Sequence, residues 1–258
     1  MSSIKCIHGL LQQDTSSFSS PLVKAALRGL ENLEIYKSTS LVSRKAMSLP
    51  LLKILGHEIS KSNWSINSKR VFWSACCVAF YSSCRMGEIL PKREFSHCPE
   101  DTLLWEDVRV LSKDHLLIHL KSTKTNSKGG DLIDLFPINS SSTCPVSALR
   151  GLRDSLNHVQ RSSPVFSFST GRNLTLKEFN STVSNLLKTH LGEDSSQISG
   201  HSFRAAIPST LAKFPELASS DEIMGWGRWK SSTYLVYTRL KLEQKKKIFS
   251  KIIAVLSA

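Results

Sequence analysis

The run Val71-Phe-Trp-Ser-Ala-Cys-Cys-Val-Ala-Phe-Tyr81 is apolar on every side of a helix. A helix over 66–83 without a polar stripe is stable only when packing surrounds it, so this segment is predicted to be the central helix of the core. Directly after it comes Cys84-Arg85-Met-Gly-Glu88-Ile-Leu90, where a lone arginine emerges from the apolar helix. A charge at such a place needs a partner. Two readings stay open there: an i,i+3 ion pair between Arg85 and Glu88, or an Arg85 that faces an anion with Glu88 behind it.

Outward from this helix the pattern changes character. Between Thr102 and Phe136 the apolar period becomes two, over Leu103 to Leu111, His115 to Leu120 and Leu132 to Phe136, separated by Ser-Lys-Asp and by Asn126-Ser-Lys-Gly-Gly. This predicts a three-stranded antiparallel meander. Upstream, Ser20-Pro21 and Ser48-Leu-Pro50 read as caps of two helices, the second running to about Ile59. Downstream, helical spacing recurs over 145–159, 176–190, 202–213, 221–224 and 240–256. Helices, a small sheet and helices again give a mostly α domain of the α+β class.

Composition narrows the partner. The 258 residues carry 34 Lys and Arg against 21 Asp and Glu, a net charge of +13 with a pI near 9.6, and 40% are hydrophobic. The apolar content excludes a disordered chain and the charge favours a polyanion. No apolar run reaches the length of a membrane span, and Met1-Ser-Ser-Ile-Lys-Cys6 lacks the apolar core of a signal peptide, so neither membrane insertion nor secretion is expected. The six cysteines form no C-x-x-C pair and read as reduced, buried thiols. His97-Cys98 and the pair His115/His119 lack the companions of a zinc set, and no metal is expected.

Four short stretches carry candidate chemistry. Gly200-His-Ser-Phe-Arg204 places His201 and Arg204 on one face at a helix start, near amides that favour an anion. Gly227-Arg-Trp229 and Tyr237-Thr-Arg239 follow closely. Lys121-Ser-Thr-Lys124-Thr125 lies at a hairpin tip. Alone, each is ordinary: a surface histidine beside a solvated arginine, or a solvated tip lysine.

Taken together these residues resemble the tyrosine recombinases, the phage-integrase-like enzymes that break and rejoin DNA. The order is the family's: Arg85 in R-x-G-E-I-L, Lys124 in a hairpin, His201-x-x-Arg204, Trp229, and Tyr237 in Y-T-R. The Gly-Arg-Trp form is most similar to recombinases of eukaryotic mobile elements, the DIRS and crypton groups. The resemblance implies the DNA breaking-rejoining catalytic fold and a site-specific recombinase or integrase working through a 3′-phosphotyrosine, with neither metal, ATP nor another cofactor. It implies Tyr237 as nucleophile, with Tyr234 as a nearby decoy. Arg85 and Arg204 would hold the phosphate, Glu88 would support Arg85, and Lys124, with Lys121 second, would protonate the leaving oxygen. His201 and Trp229 complete the set, and Lys121, Lys128, Arg228, Lys230 and Arg239 are expected to contact DNA. The partners implied are double-stranded DNA and a homotetramer, in the nucleus of a eukaryote or the cytoplasm of a prokaryote.

The implied organisation has three parts. Residues 1–42 would hold the last helix of a truncated core-binding domain with a linker, 43–238 the catalytic domain, and 239–258 a basic amphipathic helix exchanged between protomers. Two features depart from the family pattern. Pro208 falls inside the helix after Arg204, where a kink or early end is expected, and Arg228 rather than Trp229 stands nine residues before Tyr237. Two other functions suit the same residues: a catalytically silent DNA-binding relative, and strand relaxation of the type IB topoisomerase kind.

Overall fold

In the computed structural model, residue 20 and residues 45–123, 129–139, 141–156, 158–211, 214, 216–228 and 242–257 are described. The chain divides into two units between Ser43 and Arg44, and the architecture below is that of the second. The helix expected from Pro21 lies outside the described residues, as does Cys6.

Serine caps open the first two helices. Ser48 accepts from the Leu51 amide at 3.3 Å and starts α1 (Leu49–Lys61), which buries Leu49, Leu52, Leu55 and Ile59. Ser65 does the same for Ser68 and starts α2 (Ile66–Ser82), the predicted central helix. From Val71 to Ser82 only Trp73 is not fully buried. Three polar side chains on its buried stretch find partners: Ser74 donates to the Ala148 carbonyl at 2.8 Å, Trp73 Nε1 to that of Ser142 at 3.2 Å, and Tyr81 shares a 3.0 Å hydrogen bond with Thr143. Those bonds lower the desolvation cost of burying these groups in the core.

After the one-turn α3 (Met86–Ile89) the chain forms β1 (Val108–Ser112), β2 (His115–Leu120) and β3 (Asp131–Leu135), antiparallel in the order β1-β2-β3. Register pairs Val108 with Ile118 and Ile118 with Ile133, so Leu116, Ile118, Leu120, Ile133 and Leu135 share the core face. The first strand begins later than its alternation suggests. Trp105–Asp107 is a 3-10 turn, because the Asp107 carboxylate accepts from the Leu104 amide at 2.9 Å and closes a local loop that competes with the ladder.

The remaining helices are α4 (Pro145–Asp154), α5 (Leu176–Leu191), α6 (Gly200–Leu211), α7 (Ser220–Gly227) and α8 (Leu242–Ser257), with a 3-10 segment Gly192–Gln197 before α6. The helix expected over 145–159 stops at Asp154, and α6 runs past Pro208 to Leu211 rather than ending there. Helices α4 and α6 pack on α2. Helix α8 lies on its own chain: Ile248, Phe249 and Ile252 are buried, and Phe249 sits 6.0 Å from Tyr81, 5.5 Å from Phe136 and 6.4 Å from Trp226 between ring centroids. Cys76, Cys77, Cys84 and Cys144 are buried free thiols, but Cys98 is exposed, on a surface loop beside Glu100.

At one turn the backbone itself leaves no room for a side chain. Gly130, just before β3, has φ +62°, and a Cβ there would lie 2.1 Å from the Leu120 carbonyl oxygen. Gly130→Ala is expected to cost about 2–3 kcal/mol, read as a lowered urea midpoint. An unchanged midpoint would mean that the turn is not formed this way in solution.

Candidate active site

Ser83 ends α2 in the left-handed conformation, φ 51°, and turns the chain so that Arg85 leaves the buried helix at the cap of α3. Glu88, one turn on, folds back over it. Its carboxylate takes the Arg85 backbone amide at 3.0 Å on one oxygen and Arg85 Nη1 at 2.8 Å on the other. The ion pair of the first reading is present, and the Arg85 side chain remains 32% exposed and lines a cavity.

Helix α6 reaches the same place from far along the chain. Gly200 permits the approach, since a Cβ there would lie 2.5 Å from Met86 Cγ. The Gly200 amide donates to Asn180 Oδ1 at 2.8 Å, which anchors the helix start on α5. His201 and Arg204 then project from one face of α6 into a cavity of about 520 Å³ that Arg85, Glu88, Lys92 and Asn180 also line. His201 is exposed, while Arg204 is 3% exposed and donates from Nη1 to the Ser83 carbonyl at 2.9 Å and from Nη2 to that of Gly227 at 2.7 Å. Arg204 thus staples the end of α2 to the end of α7.

Electrostatics in the cavity are crowded with positive charge. Burial, and then the neighbouring Arg85 and Arg228 cations, push the Arg204 pKa down to about 10, so it stays charged at neutral pH. Burial works to raise the Glu88 pKa, but the Arg228 charge and the hydrogen bonds from Arg85 outweigh it and hold the carboxyl below its ordinary value. An open cavity with two guanidiniums and an imidazole, where Glu88 is tied to Arg85 and the second lining carboxylate, Asp101, is tied to Lys92, is suited to a tetrahedral oxyanion and to the further charge that builds on one under attack.

The other expected site residues divide in two. Lys121 is paired with Asp107 at 2.8 Å and does not line the cavity, although Ser122 and Thr123 beside it do. Arg228 is turned away from the cavity: Nη2 meets Glu88 at 2.8 Å and Nη1 meets Asp131 at 3.5 Å. Lys124, Lys128, Trp229, Lys230, Tyr237 and Arg239 lie outside the described residues. Asn180 and Asp131 were not anticipated. Nothing in the sequence marks Asn180, whereas Asp131 could have been suspected as the first residue after the Gly129-Gly130 turn. His115 is accounted for structurally, with Nε2 2.8 Å from Asp134 and its ring stacked on Phe136.

No protein-family model matches the chain, and no curated protein matches it. Solved structures do. An FLP recombinase in complex with a Holliday junction aligns at 15% identity with a TM-score of 0.51, over 98% of this chain and 57% of that one. Flpe, also with a Holliday junction, aligns at 13% and 0.50, over 91% and 53%. The XerH site-specific recombinase bound to its difH substrate aligns at 14% and 0.47, over 80% and 52%. The first two show the fold: a mostly helical tyrosine-recombinase fold with a small three-stranded antiparallel sheet. The chain spans little more than half the length of these recombinases.

Proposed function

We propose that this chain cleaves and rejoins DNA strands as a site-specific tyrosine recombinase, in integration or transposition of an element of the DIRS or crypton kind. The observation that carries the reading is the meeting of Arg85, His201 and Arg204, from distant parts of the sequence, on one cavity backed by Glu88. The fold supports it, since two of the structures that share it are recombinases held on Holliday junctions.

In the step proposed, the Tyr237 phenolic oxygen attacks a backbone phosphorus. A phosphorus–oxygen bond to the tyrosine forms, the bond to the 5′ oxygen breaks, and that oxygen leaves as a hydroxyl. The phenolic proton passes to His201, and Lys124 supplies the one taken by the leaving group. Arg85 and Arg204 hold the non-bridging oxygens as charge grows on them. The reverse attack by a free 5′ hydroxyl restores the strand, so no external energy source is needed. Exchange between two duplexes would use four protomers, and linking them through α8 would require withdrawing Ile248, Phe249 and Ile252 from their own core.

A plasmid carrying two target sites separates the alternatives when incubated in EDTA. Recombined circles support the proposal, relaxation without exchange points to topoisomerase action, and neither, with binding intact, points to a silent relative. Affinity for DNA is expected to fall steeply with salt, by about 10³-fold from about 50 to 200 mM if some six phosphates are neutralised. A flat profile in a filter-binding titration would contradict phosphate contact.

A further inference from the structure

The resemblance to recombinases suggests that Arg228 touches DNA. Its surroundings point elsewhere. Arg228 caps α7 in the left-handed conformation, φ 52°, with its side chain 15% exposed. One arm of its guanidinium meets Glu88 Oε2 at 2.8 Å, on the carboxylate that holds Arg85 by both its backbone amide and its Nη1. The other arm meets Asp131 Oδ2 at 3.5 Å, and the same oxygen accepts from Thr123 Oγ1 at 3.0 Å. Thr123 and Asp131 flank residues 124–128, the segment that carries Lys124. The residue before Arg228, Gly227, gives its carbonyl to Arg204. The residue after it is Trp229, and the stretch to Tyr237 starts there.

We infer that Arg228 is a positioning residue that holds Glu88, and through it Arg85, in a fixed place relative to Asp131 and Thr123, acting through the two carboxylates rather than by contact with the phosphate. This rests on the function proposed above. The shape of the side chain suits the task, because a planar fork can meet two separate carboxylates at once and a single ammonium cannot. The electrostatics suit it too. Glu88 is almost fully buried, and an unbalanced carboxylate behind Arg85 would cancel part of the field meant for the incoming phosphate. With Arg228 in place, two carboxylates face three guanidiniums, and an excess of positive charge is left for the oxyanion. Burying the charge of Arg228 is costly, and its Nε, buried without a hydrogen-bond partner, adds to that cost. Both arms are nevertheless committed to carboxylates on other elements, which is the arrangement of a brace.

The test uses the full chain with a library of nicked suicide duplexes of randomised flanking sequence, which trap any covalent adduct. Arg228→Met is expected to slow adduct formation about 100-fold, and Arg228→Lys, which keeps the charge and guards against a simple folding defect, about tenfold. DNA affinity and its salt slope should stay at wild-type values in both. Adding Glu88→Gln to Arg228→Met should cost less than it does alone, since the two residues act through one contact. A salt slope lowered by about one would instead mean a direct phosphate contact and would overturn the inference. So would adduct formation by Arg228→Met within about twofold of wild type, or full additivity of the two substitutions. A wild-type protein that binds the library but forms no adduct would overturn the proposed function itself, and this inference with it.

Discussion

On the proposed function, Arg204→Ala is expected to lose about 10³-fold or more in the rate of DNA cleavage and about 3 kcal/mol in stability, because one side chain would then do two jobs. Its guanidinium is buried and closes two interior carbonyls, Ser83 and Gly227, that alanine would leave without donors. The same group faces the cavity beside Arg85 and His201, where it would meet the charge that builds on the phosphate. Arg204→Lys separates the jobs. Its charge survives, but one ammonium cannot reach both carbonyls and a phosphate oxygen. It should remain folded, with a modest drop in the denaturation midpoint, and still cleave about 100-fold more slowly. A folded Arg204→Lys with the wild-type rate would remove Arg204 from the phosphate site.

Tyr237→Phe is the other large effect, and it carries no cost in stability. Removing one phenolic oxygen should abolish the covalent adduct altogether while leaving the fold, the affinity for DNA and its salt dependence unchanged. Tyr234→Phe should behave as wild type. Reversed results for these two tyrosines would move the nucleophile by three residues and with it the assignment of Trp229 and Arg228.

The fold and half of the site can be read from the residues, for reasons that differ from element to element. Helix α2 announces itself because a segment apolar on all sides has one stable environment, and the sheet does so because period two puts Leu116, Ile118 and Leu120 on one face. Local competition is harder to see. The Asp107 side chain converts the expected start of β1 into a 3-10 turn, and a helix predicted to 159 ends at Asp154. The pairing of Arg85 with Glu88 follows from their spacing, but nothing local says that the second oxygen of Glu88 also meets Arg228. That contact joins residues far apart in sequence, as does the donation from Gly200 to Asn180. Long-range polar partners of this kind leave no periodic trace. Cys98 fails for a related reason: its loop carries Lys92, Glu94 and Glu100, a charged setting that should have marked it as surface.

The central claim is that a phosphotyrosine at Tyr237 carries the DNA strand. It is tested most directly by trapping a labelled suicide duplex on the full chain in EDTA, digesting the denatured adduct with trypsin and sequencing the modified peptide by mass spectrometry. Cleavage after Lys230 and Arg239 releases Ser231-Ser-Thr-Tyr-Leu-Val-Tyr237-Thr-Arg239, which holds both candidate tyrosines on one fragment. The account predicts an oligonucleotide joined through its 3′ phosphate to Tyr237. An adduct on any other residue, or salt-sensitive binding with no adduct at all, would contradict it.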